Sequence, residues 1–265
     1  MTFAPPITVP YLGDAVTQLD GTLYQYVNCV AAGSSELANC ASVSFYQPSP
    51  SRIRTLSGDT LGGIDYPTAA EAVKRATNSE VILNPVFWVP TSTLDDVLTA
   101  GRITGISILC SVTINTPYRT SPTYTGRHFI VVGAKRYATV TRPDGTQYQQ
   151  KQALVMDPGH SATYLKWQWW PWSLLIAAAT ASTGNGTIHL MYTRDVTVVS
   201  RTSITSGKIY SSPSLTSTVV GTISANVRKA VQTTKRGSGY VANGHTCLGW
   251  TQLSPNQFVT SSEIR

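Results

Sequence analysis

The segment His128-Phe129-Ile130-Val131-Val132-Gly133 is apolar throughout after its first residue. A strand with one face in water alternates polar and apolar positions. An uninterrupted apolar run of this length belongs to a central strand covered on both faces. The rest of the chain must then supply neighbouring strands and covering layers, and candidates for both are present. Ile103–Val112 is apolar and β-branched, Ala153-Leu154-Val155-Met156 is a strand ended by Asp157-Pro158-Gly159, and Thr187–Thr193 is another. Asp144-Gly145 marks a hairpin turn. Helices come first. The small-residue segment Asn28 to Ala41 starts on Asn28 as its cap. Pro67 to Asn78 carries Thr68-Ala69-Ala70-Glu71, which fits a capping box. Thr93 to Ala100 has Asp95 and Asp96 in its first turn and Gly101 as its stop. A further helical stretch, Ser173–Ala181, follows Trp167-Gln168-Trp169-Trp170-Pro171-Trp172. Helices followed by a sheet predict an α+β fold.

Near residue 195 the pattern changes. Lys208–Tyr210, Val219–Ile223, Lys229–Gln232, Gly249–Leu253 and Asn256–Val259 read as short strands between turn residues, with no helix. They predict a small β-barrel, which divides the 265 residues into a domain over 1–193 and another over 197–265. Composition agrees with a β-rich chain. Charged residues are 12%, about half the usual share, and 36 Thr and 27 Ser take their place. Thr favours strands, and 42% hydrophobic content excludes simple disorder. No run of about 18 apolar residues exists, so no membrane insertion is expected. The net charge of +7 is spread over pairs such as Lys74-Arg75, Lys135-Arg136 and Lys235-Arg236. No block of basic residues marks a nucleic-acid partner. A mild positive field does attract polyanions, among them a bacterial wall carrying anionic polymers.

The four cysteines, Cys29, Cys40, Cys110 and Cys247, form no C-x-x-C pair and no zinc pattern. Cys29 and Cys40 on one helix would stand about 16 Å apart, too far for a disulfide. Free thiols are therefore expected, with no metal and no cofactor. Cys29 stands at a helix start, where free amides and the helix dipole stabilise a thiolate. A buried structural cysteine satisfies the same pattern. His128 opens the apolar strand, and Asp157 ends the strand 29 residues on. If those strands pair antiparallel, Asp157 reaches the His128 ring and fixes its tautomer. Cys29, His128 and Asp157 then supply nucleophile, base and orienter. The Asp-Pro-Gly sequence is equally an ordinary turn.

In order, Tyr26-Val27-Asn28-Cys29-Val30-Ala31-Ala32, Gly126-Arg127-His128-Phe129-Ile130-Val131-Val132-Gly133 and Leu154-Val155-Met156-Asp157-Pro158-Gly159 resemble papain-like cysteine peptidases. The branch most similar is that of bacteriocin-leader-processing peptidases. Gly62-Gly63-Ile64-Asp65-Tyr66-Pro67 and Leu94-Asp95-Asp96-Val97-Leu98 with Gly101-Arg102 resemble its second and third helices. The resemblance covers roughly residues 8–193. It implies catalysis by Cys29, His128 and Asp157, with a glutamine before the cysteine donating to the oxyanion. That branch has a small pair such as Gly-Pro after the cysteine, where this chain has Val30-Ala31. Its glutamine lies about six residues before the cysteine; the nearest here is Gln25, four before.

The later segments Lys208-Ile209-Tyr210-Ser211-Ser212-Pro213, Ser217-Thr218-Val219-Val220-Gly221-Thr222-Ile223, Gly249-Trp250 and Phe258-Val259 resemble a bacterial SH3-like domain. Such modules bind cell-wall material, which implies wall contact here, with Tyr210 and Tyr240 as stacking faces. Trp250 and Phe258 are expected in the barrel core. Trp167 and Trp169 share a face if their segment is extended, and are a candidate sugar shelf. Together the resemblances imply a cysteine peptidase or amidase acting on bacterial peptidoglycan. The N-terminus lacks a signal peptide. The expected location is therefore a phage virion, as a tail-associated protein among other tail proteins, or release to the host wall for lysis. A catalytically inert tail-tip or adaptor protein with the same fold is the alternative.

Overall fold

The computed structural model describes residues 17–18, 27–41, 48–59, 62–77, 81–110, 126–159, 167–194, 200–203, 205–230, 233–242 and 245–260. Five helices are described: α1 (Cys29–Ala41), α2 (Pro50–Ser57), α3 (Tyr66–Ala76), α4 (Ser92–Thr99) and α5 (Trp172–Thr183). Six strands form one sheet: β1 (Ile82–Val89), β2 (Thr104–Cys110), β3 (Gly126–Thr141), β4 (Gln147–Met156), β5 (Gln168–Pro171) and β6 (Ile188–Arg194), in the order β1-β6-β2-β3-β4-β5. Every pairing in it is antiparallel, and the architecture mixes helices with sheets.

The opening run of the sequence explains the layers. Phe129 and Val131 of β3 point into a cluster with Leu37 of α1, Ile53 of α2 and Val73 of α3. Ile130 and Val132 point the other way, among Leu94 and Leu98 of α4 and Leu175 and Ala178 of α5. Both faces of β3 are covered over this run, so no position in it can be polar. Two glycines bring the layers together. A Cβ on Gly33 of α1 or on Gly105 of β2 would overlap the Phe129 ring, which fills the slot between them.

Several local expectations change. Helix α3 is capped by Asp65, whose Oδ1 accepts from the Thr68 N–H at 2.7 Å, so the start lies before the Thr68–Glu71 box. Helix α2 was not predicted, although its signals are ordinary. Ser49 accepts from the Arg52 N–H at 3.1 Å, Pro50 opens the first turn, and Gly58 closes it at φ 75°. Strand β1 was also missed, because Pro85 interrupts it. Pro is tolerated there because β1 is an edge strand.

The remaining strands are β7 (Ser200–Thr202), β8 (Gly207–Tyr210), β9 (Val219–Ile223), β10 (Arg228–Ala230), β11 (Thr233–Ala242), β12 (His245–Ser254) and β13 (Gln257–Thr260). Five make a sheet in the order β11-β12-β13-β8-β9, and β7 pairs with β10. Trp250 is fully buried, and its Nε1 donates to the Ser238 carbonyl at 3.0 Å. Tyr210 and Tyr240 each meet its ring edge-on at 5.5 Å between centroids. Both tyrosines are buried with Phe258 in that cluster. The expectation that Tyr210 and Tyr240 present stacking faces is thereby corrected: their rings are committed to Trp250.

Candidate active site

Cys29 is the first residue of α1 and is partly buried. Asn28 precedes it, and its carbonyl accepts the Ala32 N–H at 2.9 Å. Its side chain does not cap the helix as expected. The Asn28 Oδ1 accepts instead from Nε of Arg54, a buried residue of α2, at 3.1 Å. The same guanidinium reaches the carbonyls of Gly62 at 2.9 Å, Asp59 at 3.4 Å and Val27 at 3.5 Å. Arg54 thus ties the residues just before Cys29 to the backbone between α2 and α3. With the cap side chain diverted, the Val30 N–H serves the sulfur, as does the Phe129 N–H from β3.

His128 and Asp157 meet through the strand pairing. In the β3–β4 ladder Val131 lies opposite Met156, so the start of one strand and the end of the other are neighbours. His128 Nε2 and Asp157 Oδ1 are 2.6 Å apart. The same carboxylate oxygen accepts the Gly159 N–H at 2.8 Å, which fixes its direction. Because Nε2 is taken by Asp157, Nδ1 is the ring nitrogen left to face the Cys29 thiol, with which His128 hydrogen-bonds.

The electrostatics follow from this chain of contacts. Burial pushes the Cys29 thiol up, but the His128 hydrogen bond and charge, with the Phe129 and Val30 amides, outweigh it and hold the thiol below its ordinary value. Burial pushes the His128 imidazole down, but the Asp157 charge and hydrogen bond, followed by those of Cys29, raise it well above 6.5. Both shifts favour a thiolate–imidazolium pair. Such a pair is a nucleophile that needs no further base to be activated.

The other sequence-derived candidates fall in different places. Gln25 lies outside the described residues. Gln18, which the sequence reading passed over, is beside the site. It is buried, its N–H donates to the Pro158 carbonyl at 2.9 Å, and its Oε1 is buried without a hydrogen-bond partner. Its signal was weak, because eleven residues separate it from Cys29. Trp167 packs against the apolar cluster that Cys29 also borders. Trp169 sits on β5 opposite Leu154, and the Arg136 guanidinium lies 4.0 Å over its ring. Burial pushes the Tyr66 hydroxyl beside the thiol well above its ordinary value, so it stays protonated. Among the described residues no group of three His, Cys, Asp or Glu side chains could hold a metal ion, and no helix is long and apolar enough to cross a membrane.

No protein family matches the chain, and no curated protein does. Among solved structures, a candidate C39-like peptidase from Bacillus anthracis aligns with 10% identity and a TM-score of 0.44, covering 72% of this chain and 96% of that one. The protein Ly7917 aligns with 12% identity and a TM-score of 0.23, covering 88% of this chain and 97% of its own. A second structure of Ly7917, with the hydrolysis product of MDP, aligns with 8% identity and a TM-score of 0.19, over the same shares.

Proposed function

We propose that the chain is a cysteine hydrolase that cleaves amide bonds in bacterial cell-wall peptidoglycan. The observation that carries this reading is the contact chain from Cys29 through His128 to Asp157. The Cys29 thiolate attacks the amide carbonyl carbon, forming a C–S bond while the carbonyl π pair moves onto oxygen. Collapse of that oxyanion expels the amine, which takes its proton from the His128 imidazolium. Water, deprotonated by the now neutral His128, attacks the thioester; the thiolate leaves, and a carboxylic acid is released. Asp157 keeps Nε2 protonated and Nδ1 directed at the sulfur throughout. The oxyanion donors in this reading are the Cys29 N–H and the Gln18 carboxamide. The burial of Gln18 against Pro158, next to Asp157, supports its part in this reading.

The strands from Gly207 to Thr260 form the second unit of this reading, an SH3-like module that holds the enzyme on the wall. A boundary between residues 193 and 197 separates the two. The separate five-stranded sheet with its own aromatic core supports that division, and the net charge of +7 suits an anionic surface. A charge-poor, hydroxyl-rich chain suits a phage tail component or a lysis protein. Zymography on purified wall tests the hydrolase. Clearing by the wild type and none by Cys29→Ala is expected; equal clearing by both would overturn the mechanism. A wild type that clears no wall, yet sediments with virions, would favour an inert tail adaptor.

A further inference from the structure

Edge strand β1 carries a group of features that a stable fold alone does not call for. Trp88 has φ 58°, a left-handed conformation that is costly for a bulky side chain. It stands in a bulge: Val86 pairs with Leu190 and Val89 with Ile188, so Phe87 and Trp88 together oppose His189 of β6. Both aromatic rings are open, Phe87 at 42% and Trp88 at 56% exposure. His189 meets both edge-on, at 5.2 and 4.5 Å between centroids, and its buried Nε2 has no hydrogen-bond partner. Strain, exposed aromatic surface and an orphaned buried nitrogen coincide at one spot of an otherwise well-packed sheet. Local rules are broken together at functional sites more often than by accident.

The spot is continuous with the thiol. Phe87 stacks on Tyr66 at 5.7 Å, and Tyr66 in turn meets Phe129, whose N–H serves the Cys29 sulfur. Across the sheet, Ser107 of β2 lies opposite Phe129 of β3, and Ile106 lies opposite Leu190, which puts His189 next in line. A row Phe129–Ser107–His189–Phe87/Trp88 therefore crosses four adjacent strands on the face that holds Cys29. At its β3 end stands exposed Arg127, close enough to act on both Tyr66 and His189. One end of the row is cationic and the other is flat, aromatic and uncharged. A carboxylate suits the first, and the face of a pyranose ring suits the second.

We propose that Phe87 and Trp88 form a glycan subsite that stacks an amino-sugar ring of the peptidoglycan strand, while the attached stem peptide runs over His189 and Ser107 to Cys29, with its carboxylate near Arg127. This rests on the hydrolase reading above and names the part of the wall that the site takes. Three interstrand steps of about 4.8 Å span roughly 14 Å. An extended peptide covers that in about four residues. Cleavage then falls within the stem peptide, three or four residues from the sugar, rather than at the sugar–peptide amide.

Binding is measured by calorimetry on Cys29→Ala protein, so that it does not depend on turnover. The probes are a disaccharide-tetrapeptide purified from wall and the same tetrapeptide without sugar. The sugar-bearing probe is expected to bind at least tenfold tighter, and Trp88→Gly is expected to abolish that preference. Glycine accepts the left-handed backbone, so this variant keeps its Tm, which a merely structural tryptophan would not allow. Equal affinity for both probes, or a preference that survives Trp88→Gly, overturns the subsite. Mass spectrometry of wild-type digests gives the second reading, and new termini at the sugar–peptide amide overturn the spacing. A Trp88-dependent preference in a protein that cleaves no wall supports the subsite and refutes the hydrolase instead.

Discussion

Replacing Asp157 by Asn tests whether the thiol owes its state to the carboxylate two residues removed from it in the contact chain. The side chain keeps its size and an acceptor oxygen for Nε2 and the Gly159 N–H, but loses its charge. Asp157 and His128 are 12% and 7% exposed, so solvent screens their interaction little. At an effective dielectric of 20, opposite charges about 4 Å apart interact by about 4 kcal/mol. Even a third of that is a factor of ten in the thiolate–imidazolium equilibrium. An ordinary thiol, with a pKa of about 8.5, is only about 0.3% thiolate at pH 6. The assay is the rate of iodoacetamide labelling of the Cys29 peptide, followed by mass spectrometry at pH 6 and pH 9. We expect Asp157→Asn to slow labelling at least tenfold at pH 6. The gap should narrow as pH rises toward 9, because His128 loses its charge in both proteins and the thiol ionises without its help. An unchanged pH 6 rate, in a variant whose near-UV circular dichroism matches the wild type, would refute the argument that Asp157 sets the charge on His128 and thereby on Cys29.

The lowered Cys29 and raised His128 values predict a bell-shaped pH profile of kcat/KM. Activity appears as the pair forms on the acid side, below the ordinary thiol range, and is lost as His128 deprotonates above its ordinary value of about 6.5. The stability that protonated His128 contributes is complete below about 6.5 and fades as pH rises through its raised folded-state value, so the unfolding free energies of wild type and Asp157→Asn should converge at alkaline pH. Gly33→Ala drives a methyl into the Phe129 ring; a cost of about 1–3 kcal/mol is expected, read as a Tm lowered by roughly 2–10 °C. Arg54→Met leaves the Asn28 Oδ1 and the Gly62 carbonyl without their donor, at about 1–3 kcal/mol per buried group. Arg54→Lys should recover part of the Tm but less of kcat, because an ammonium cannot span the same acceptors; full recovery of kcat would argue against positioning.

Much of the layered core was legible because burial on two faces leaves a plain trace. The apolar run around Ile130 demands cover on both sides, and small residues in α1 allow it to approach β3 at Gly33. The neighbourhood of His128 and Asp157 was likewise readable, since antiparallel pairing of the strands that carry them joins the start of one to the end of the other. What escaped depends on contacts distant in sequence. Nothing near Asn28 announces that Arg54, 26 residues on, takes its side chain and changes what the helix start offers the thiol. Gln18 meets Pro158 across 140 residues, beyond the reach of any local pattern. Tyr210 and Tyr240 looked like open faces, since a short strand does not reveal which of its sides meets Trp250. The bulge at Phe87 and Trp88 lies in a segment that Pro85 interrupts, so it carries no clear strand pattern in the sequence.

Phe129 joins two roles on one residue. Its ring is wedged between Gly33 and Gly105, and its own N–H contacts the sulfur. Any drift of the ring is therefore passed, through a single Cα, to the amide that steadies the thiolate. For a protein engineer this couples durability to reactivity. Variants selected for heat resistance by repacking this slot would change nucleophile charge as a side effect, and variants selected for a faster thiol would tend to surface as packing mutants far from any substrate.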